Sequence, residues 1–430
     1  MSISVSESVL DILILSNGPG ELIAWVSPTV KSIRQTLGSD NDRVRISIVL
    51  SPCPHASGSE EKLARSLPEV NRVQNADDFL PFLLWGKTAE NWDWSDRGVV
   101  LFLGGDQFFT LVLGKRLGYR TVTYAEWEAR WQPWIDRFGV MNPKIVEKTK
   151  PSLTHKFTVV GDLMSECQAH TSDPVYPGHG ELIGLLPGSK QDKLIPGVPF
   201  ALAIAQQIHR VRPQTRFVIA LAPTVDVATI ARYADPNYNR GIQYWPEGTA
   251  ELIHPTGAKY PRLKTPSGLE IDLWTDFPAY DLLSQCQLCL TTAGANTAQL
   301  GALGTPMIVL LPTQQLDAMR SWDGILGILA HLPGLGSLFA KLINLAILSR
   351  KRRSFLAWPN IWAGKEIIPE RIGHLTAADI AEEVIRYLRS PEELQAMRDR
   401  LARVRGESGA ARKLANIVLQ ELAIGEPLQS

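Results

Sequence analysis

At 430 residues the chain is too long for one ordinary hydrophobic core, so two domains are expected. Hydrophobic residues make up 45% and charged residues 20%, which excludes a disordered chain. Lys+Arg and Asp+Glu balance at 44 each, and that neutrality excludes broad, non-specific nucleic-acid binding.

Four cysteines are too few for a disulfide framework in a chain this size and point to a reducing cytoplasm. Residues 1–9 are polar with no basic stretch, and the apolar run at 12–15 is short, so no secretory signal is expected.

In chain order, residues 11–15 read as a short apolar strand, 16–21 as a turn, 22–37 as a helix and 44–50 as a second strand. Residues 99–103 form another strand, followed by Gly104-Gly105-Asp106, a helix through 117 and strands at 121–124 and 157–160. Pro174, Pro177, Gly178 and Gly180 mark 168–180 as a linker. The same grammar then restarts: strand 182–186, turn 187–190, helix 198–211 and strand 216–221. A short helix at 280–284, strand 288–292, a turn at 294–297, a helix to 303 and strand 307–311 follow. Residues 376–388 and 391–404 have the pattern of amphipathic helices, with Thr376 and Ser390 as N-caps. Strands alternating with helices predict α/β domains with doubly wound parallel sheets, whose ligands lie at the carboxyl ends of the strands.

Cys286 and Cys289 form a C-x-x-C. Residues three apart on a strand point to opposite faces, so the pair is expected to be structural and unable to share a metal.

Glycine turns behind strands let backbone N–H groups approach a phosphate, and the helix start behind them favours negative charge. Asn17, Gly18, Pro19, Gly20 and Glu21 form one such turn, Gly188-Ser189-Lys190 a second, and Gly294-Ala295-Asn296-Thr297 a third. Lys190 is a mobile charge for a diphosphate, the Ser189 and Thr297 hydroxyls are donors to phosphate oxygens, and Gln299 is within reach of a ribose. The same residues also describe tight turns with helix caps. Asp106 is placed either as a general base or as the cap of the following helix.

These turns resemble the lipid-A-disaccharide synthase family. Leu186-Pro187-Gly188-Ser189-Lys190 is similar to that family's L-P-G-S-R, and 294–306 to its S-G-T-A-x-L-E…G-T-P segment. Residues 359–366 with Pro369-Glu370 are similar to its P-N-L-L-A-G-R-E…P-E block, which is the most specific of the three. The resemblance implies a GT-B fold, two Rossmann-like doubly wound domains facing a cleft, with an acceptor-side domain over 1–170 and a nucleotide-sugar domain over 181–375. Residues 376–430 are then C-terminal helices. It implies an inverting, metal-independent glycosyltransferase with no cofactor, moving a glucosamine-type sugar from UDP to a lipid-linked acceptor. Its donor site would comprise Gly188, Ser189, Lys190, Gly294, Asn296, Thr297, Gln299, Asn360 and Glu370, with Asn17, Gly18 and Gly20 in the first turn. Asp106 falls near the family's G-I-D-A-P-D-F-N and would be the base.

The chain also departs from the family. The family's A-G-E-x-S-G-D is replaced by Ser16-Asn17-Gly18-Pro19-Gly20-Glu21, its Arg by Lys190 and its Glu by Gln299. Two alternatives therefore stay open: a UDP-sugar 2-epimerase-like enzyme, and a non-catalytic membrane-associated protein of the same fold.

Residues 325–348 are rich in Leu, Ile and Phe and run into Arg350-Lys351-Arg352-Arg353. The Pro333-Gly334 break argues against a spanning helix. The segment fits interfacial helices against anionic lipid, and equally a buried hairpin or a homodimer interface. On the first reading the protein is cytoplasmic and peripherally bound to the inner face of the membrane.

Overall fold

The computed structural model describes residues 9–53, 58, 60–166, 175–176, 180–314, 355–404 and 409–423. The apolar and basic segment at 325–353 and most of the linker lie outside the described residues. The chain divides into two compact units, 1–166 with 406–430, and 167–405.

The first unit is built on seven strands: β1 (Leu10–Ser16), β2 (Val44–Leu50), β3 (Arg72–Gln74), β4 (Gly98–Phe102), β5 (Arg120–Ala125), β6 (Arg137–Val140) and β7 (Phe157–Val159). Their order is β3-β2-β1-β4-β5-β6-β7, and every pair is parallel. Strands covered on both faces read as continuous apolar runs, and β1 shows why. Ile12 and Ile14 pack with Val30 and Ile33, whereas Leu13 and Leu15 pack with Phe79, Phe82 and Leu113. After β1 a helical turn at Pro19–Glu21 widens into a π-helical turn, Leu22–Val26, before the regular helix α1 (Ser27–Leu37). Helix α2 (Gln107–Leu117) follows β4.

The second unit carries β8 (Leu182–Leu186), β9 (Arg216–Ala220), β10 (Glu251–Ile253), β11 (Arg262–Lys264), β12 (Glu270–Trp274), β13 (Leu288–Thr291), β14 (Met307–Pro312) and β15 (Glu370–Gly373). The order is β10-β11-β12-β9-β8-β13-β14-β15. The β10-β11 and β11-β12 pairs are antiparallel and the rest are parallel. Helix α3 (Gln191–Val211) starts at Gln191, ahead of the expected residue 198, and contains Pro196 and Pro199. Helices α4 (Ala295–Leu303), α5 (Trp358–Ala363), α6 (Ala377–Arg389) and α7 (Pro391–Val404) complete the unit.

The C-terminal helices do not form a group of their own. Helices α6 and α7 lie in the second unit, whereas α8 (Ala410–Ala423) belongs to the first. There Leu414 and Val418 join the core that holds Ile12 and Ile14. The buried Glu421 carboxylate of α8 accepts from Arg120 at 2.8 Å and Arg137 at 3.4 Å. Both arginines lie on the first unit's sheet.

The cysteine side chains are not on opposite faces as the strand reading had them. A Cβ on Gly184 would lie 2.6 Å from Cys289 Sγ and 3.2 Å from Cys286 Sγ, so both sulfurs sit against the same glycine. Cys286 precedes β13, so strand alternation does not separate it from Cys289. Both thiols are buried and free, and burial pushes the Cys289 thiol well above its ordinary range. Among the described residues, no helix is long and apolar enough to cross a membrane.

Candidate functional site

In the second unit, the chain leaves β8 toward β9 on one side and returns as β13 on the other. Such a reversal opens a crevice at the carboxyl ends of the two strands. The turn after β8 and the turn after β13 both line it. Gly188 has φ +112° and Gly294 φ +143°, values that side-chain-bearing residues rarely adopt. Both turns open helices, α3 and α4, whose first N–H groups have no partner within the helix.

The side chains predicted for this site divide into free and committed groups. Ser189, Lys190, Asn296 and Gln299 are partly exposed and have no side-chain hydrogen bond or ion pair among the described residues. Thr297 is committed: its fully buried hydroxyl donates to Gly294 O at 2.8 Å and accepts from Trp358 N at 3.1 Å. It therefore has no proton left for a phosphate oxygen, contrary to expectation.

Asn360 and Glu370, from the most specific sequence block, are also committed. Asn360 Nδ2 donates to Ile368 O at 3.0 Å and Glu370 Oε1 at 2.8 Å. Its Oδ1 accepts from Ile367 N at 2.7 Å and Ile368 N at 3.0 Å. Glu370 also accepts from Leu356 N and Ala357 N, each at 2.9 Å. This knot ties the loop before α5 to β15 and brings Trp358 N to Thr297. Both residues are thus placed as supports of the β13 turn.

Replacing Asn360 with alanine is expected to cost about 3 kcal/mol in urea unfolding, because four hydrogen bonds vanish and the backbone groups of Ile367 and Ile368 lose the side chain that pairs them. UDP affinity of the folded variant should change little. A large affinity loss at unchanged stability would show direct donor contact instead.

Sequence reading missed Lys193, in the first turn of α3. Its Nζ donates to Ala293 O at 2.6 Å. A Cβ on Gly188 would lie 2.6 Å from Lys193 Cβ, and one on Gly294 would lie 2.9 Å from its Nζ. Burial lowers the ammonium's pKa, with Asp192 opposing and Lys190 reinforcing that shift. A cavity of about 840 Å³ lies elsewhere in this unit, lined by Arg232, Asp235, Thr249 and Lys264 beside β10 and β11.

In the first unit the reversal falls between β1 and β4. The Asn17 Oδ1 atom is buried there with no hydrogen-bond partner. A Cβ on Gly104 would come within 2.8 Å of that oxygen and 3.3 Å of Glu21 Cγ. Gly18 faces the Glu21 carboxylate, and Gly20 lies in the helical turn that opens toward α1.

Asp106 is the N-cap of α2: its Oδ1 accepts from Phe108 N at 2.9 Å. The carboxylate is 46% exposed, with Arg130 at 3.8 Å. Gln107 holds the Arg130 loop, donating to Glu128 O at 2.9 Å and accepting from Arg130 N at 2.8 Å.

Two further carboxyls were not singled out from sequence. Burial, together with the negative charges of Asp162 and Glu21, pushes Glu126 up to about 8. Burial raises Asp162 to about 6, against the hydrogen bond it accepts from Met164 N at 2.8 Å. Each follows a strand end, Glu126 directly after β5 and Asp162 shortly after β7, and that position was the one available signal. Among the described residues, no three His, Cys, Asp or Glu side chains converge as a metal site would require.

No family model matches the chain. It is 25% identical over 298 residues to the lipid-A-disaccharide synthase of Geobacter sulfurreducens, covering 67% of this chain and 60% of that protein. It is 26% identical over 267 residues to the lipid-A-disaccharide synthase of Geobacter metallireducens, covering 61% of this chain and 54% of that protein. The matched stretch is thus less than two thirds of either relative's length. Among solved structures, S. aureus MnaA with UDP is 11% identical, with a TM-score of 0.50 and coverage of 97% and 99% of the two chains. The chain resembles the lipid-A-disaccharide synthases. It has the two-domain α/β fold of GT-B type that the sequence predicts.

Proposed function

We propose that the chain is an inverting glycosyltransferase that moves a glucosamine-type sugar from UDP to a lipid-linked acceptor, as in lipid A disaccharide synthesis. The observation that carries this reading is the crevice between β8 and β13. Two glycine turns there open helices, and four polar side chains, Ser189, Lys190, Asn296 and Gln299, stand unpaired among the described residues. The names of the Geobacter relatives support the reaction class and the lipid acceptor.

In this reading the UDP diphosphate lies on the first N–H groups of α3 and α4, which offset its charge as the leaving group departs. The acceptor hydroxyl attacks the anomeric carbon, the bond from that carbon to the diphosphate oxygen breaks, and the configuration inverts. The hydroxyl proton passes to a carboxylate of the first unit, for which Asp106 is the choice. Asn17, Gly18 and Gly20 shape the crevice beside it. No metal or other cofactor takes part. The composition of 325–353 supports peripheral contact with anionic lipid at the cytoplasmic face of the membrane.

Calorimetric titration with UDP tests the donor site. Binding is expected to be equal with and without magnesium. It should weaken about threefold in Lys190→Ala, the usual size for one exposed cation. No binding of UDP by the wild-type protein would sink the reading.

A further inference from the structure

We propose that Lys193 supplies the principal positive charge to the donor diphosphate, with Lys190 in a lesser, peripheral role. This rests on the reading of the second unit as the UDP site. The resemblance points to Lys190, which stands where the related family has arginine. The geometry points one turn further along α3.

The Lys193 stem crosses from one turn of the crevice to the other. Its Cβ, Cδ and Cγ would lie 2.6, 3.1 and 3.5 Å from a Cβ on Gly188, so the methylenes form the floor beneath that turn. Its ammonium reaches the β13 turn and donates to Ala293 O, the carbonyl just before Gly294. Only glycine at 188 and 294 leaves room for this path.

An ammonium has three protons to donate, and one protein acceptor takes one of them here. Among the described residues no carboxylate lies within ion-pair distance of it. Asp192 and Lys190, its charged neighbours on the same turn, act through space with opposite signs. A partly buried cation served by one neutral carbonyl is costly to the fold. An anion seated between the N-termini of α3 and α4 removes that cost and takes the remaining protons.

The test compares UDP with uridine, which lacks the phosphates, on the full chain. Lys193→Met is expected to weaken UDP binding at least tenfold, the loss of one charge-assisted contact, and to leave uridine binding unchanged. Its melting temperature should be no lower than that of the wild type, since methionine fills the stem's path without a partly buried charge. Lys190→Met should weaken UDP less than Lys193→Met does. UDP binding by Lys193→Met within twofold of wild type overturns the assignment and leaves the UDP site standing. Wild-type protein that binds UDP no better than uridine overturns both. A measurement on unsubstituted protein covers a variant that fails to fold: UDP, and not uridine, should slow acetylation of Lys193 as read by mass spectrometry. Protection of Lys190 alone, or of neither lysine, overturns the assignment.

Discussion

Asp106→Asn is expected to slow sugar transfer by about a hundredfold or more while leaving the unfolding free energy within about 0.5 kcal/mol of wild type. The two effects separate because the structure gives Asp106 one task that asparagine keeps. Oδ1 caps α2 by accepting from Phe108 N, and an amide oxygen accepts the same bond. The Arg130 contact, at 3.8 Å between half-exposed groups, is screened by solvent and adds little. What asparagine cannot do is take a proton from an acceptor hydroxyl. UDP release in the presence of lipid-linked saccharides measures the rate, and urea unfolding measures the fold. Asp106→Ala should lose the base and about 1 kcal/mol of capping as well. Full turnover by a folded Asp106→Asn protein would remove Asp106 from the mechanism.

Most of the sheet framework was legible because buried parallel strands leave an unmistakable trace. β1, β4, β8, β13 and β14 are short apolar runs with glycine behind them or close by, and no other element explains such runs as simply. The start of α3 was not legible. Pro196, Gly197 and Pro199 speak against a helix, yet Gly197 is where α3 meets the β8 turn, since a Cβ there would lie 2.4 Å from Pro187 O. The β10–β12 edge has short strands of mixed polarity and left no period to read.

Partnership was harder to read than structure. Amphipathic periodicity marks a helix that packs but does not say against what. Thus α8 joins the first unit through Leu414, Val418 and the buried Glu421. The same limit governs the site. Asn360 and Glu370 stand out as a motif, but only the hydrogen bonds show that they hold the backbone. Lys193, Glu126 and Asp162 are single charges outside any motif, and only the fold gives them their surroundings.

Glu126→Gln should stabilise the protein by an amount that grows with pH, reaching about 5 kcal/mol near pH 9 and falling toward zero near pH 4. The carboxyl titrates near 4.5 in an ordinary setting and near 8 in the folded chain. Below 4.5 both states hold the proton, so the residue adds no pH-dependent penalty. Between 4.5 and 8 the unfolded chain releases its proton while the folded chain keeps it, and stability falls as pH rises. Above 8 both states are ionised and the full cost of the buried charge stays. Glutamine has no charge to bury and can still accept the bond that Trp127 makes to this side chain. Asp162 follows the same sign over the lower window from 3.8 to about 6. Urea unfolding of wild type and variant at pH 5 and pH 9 reads the difference directly. The same increment at both pH values would show that Glu126 ionises freely in the folded protein. It would then lose its expected character at neutral pH, that of a carboxyl that keeps its proton.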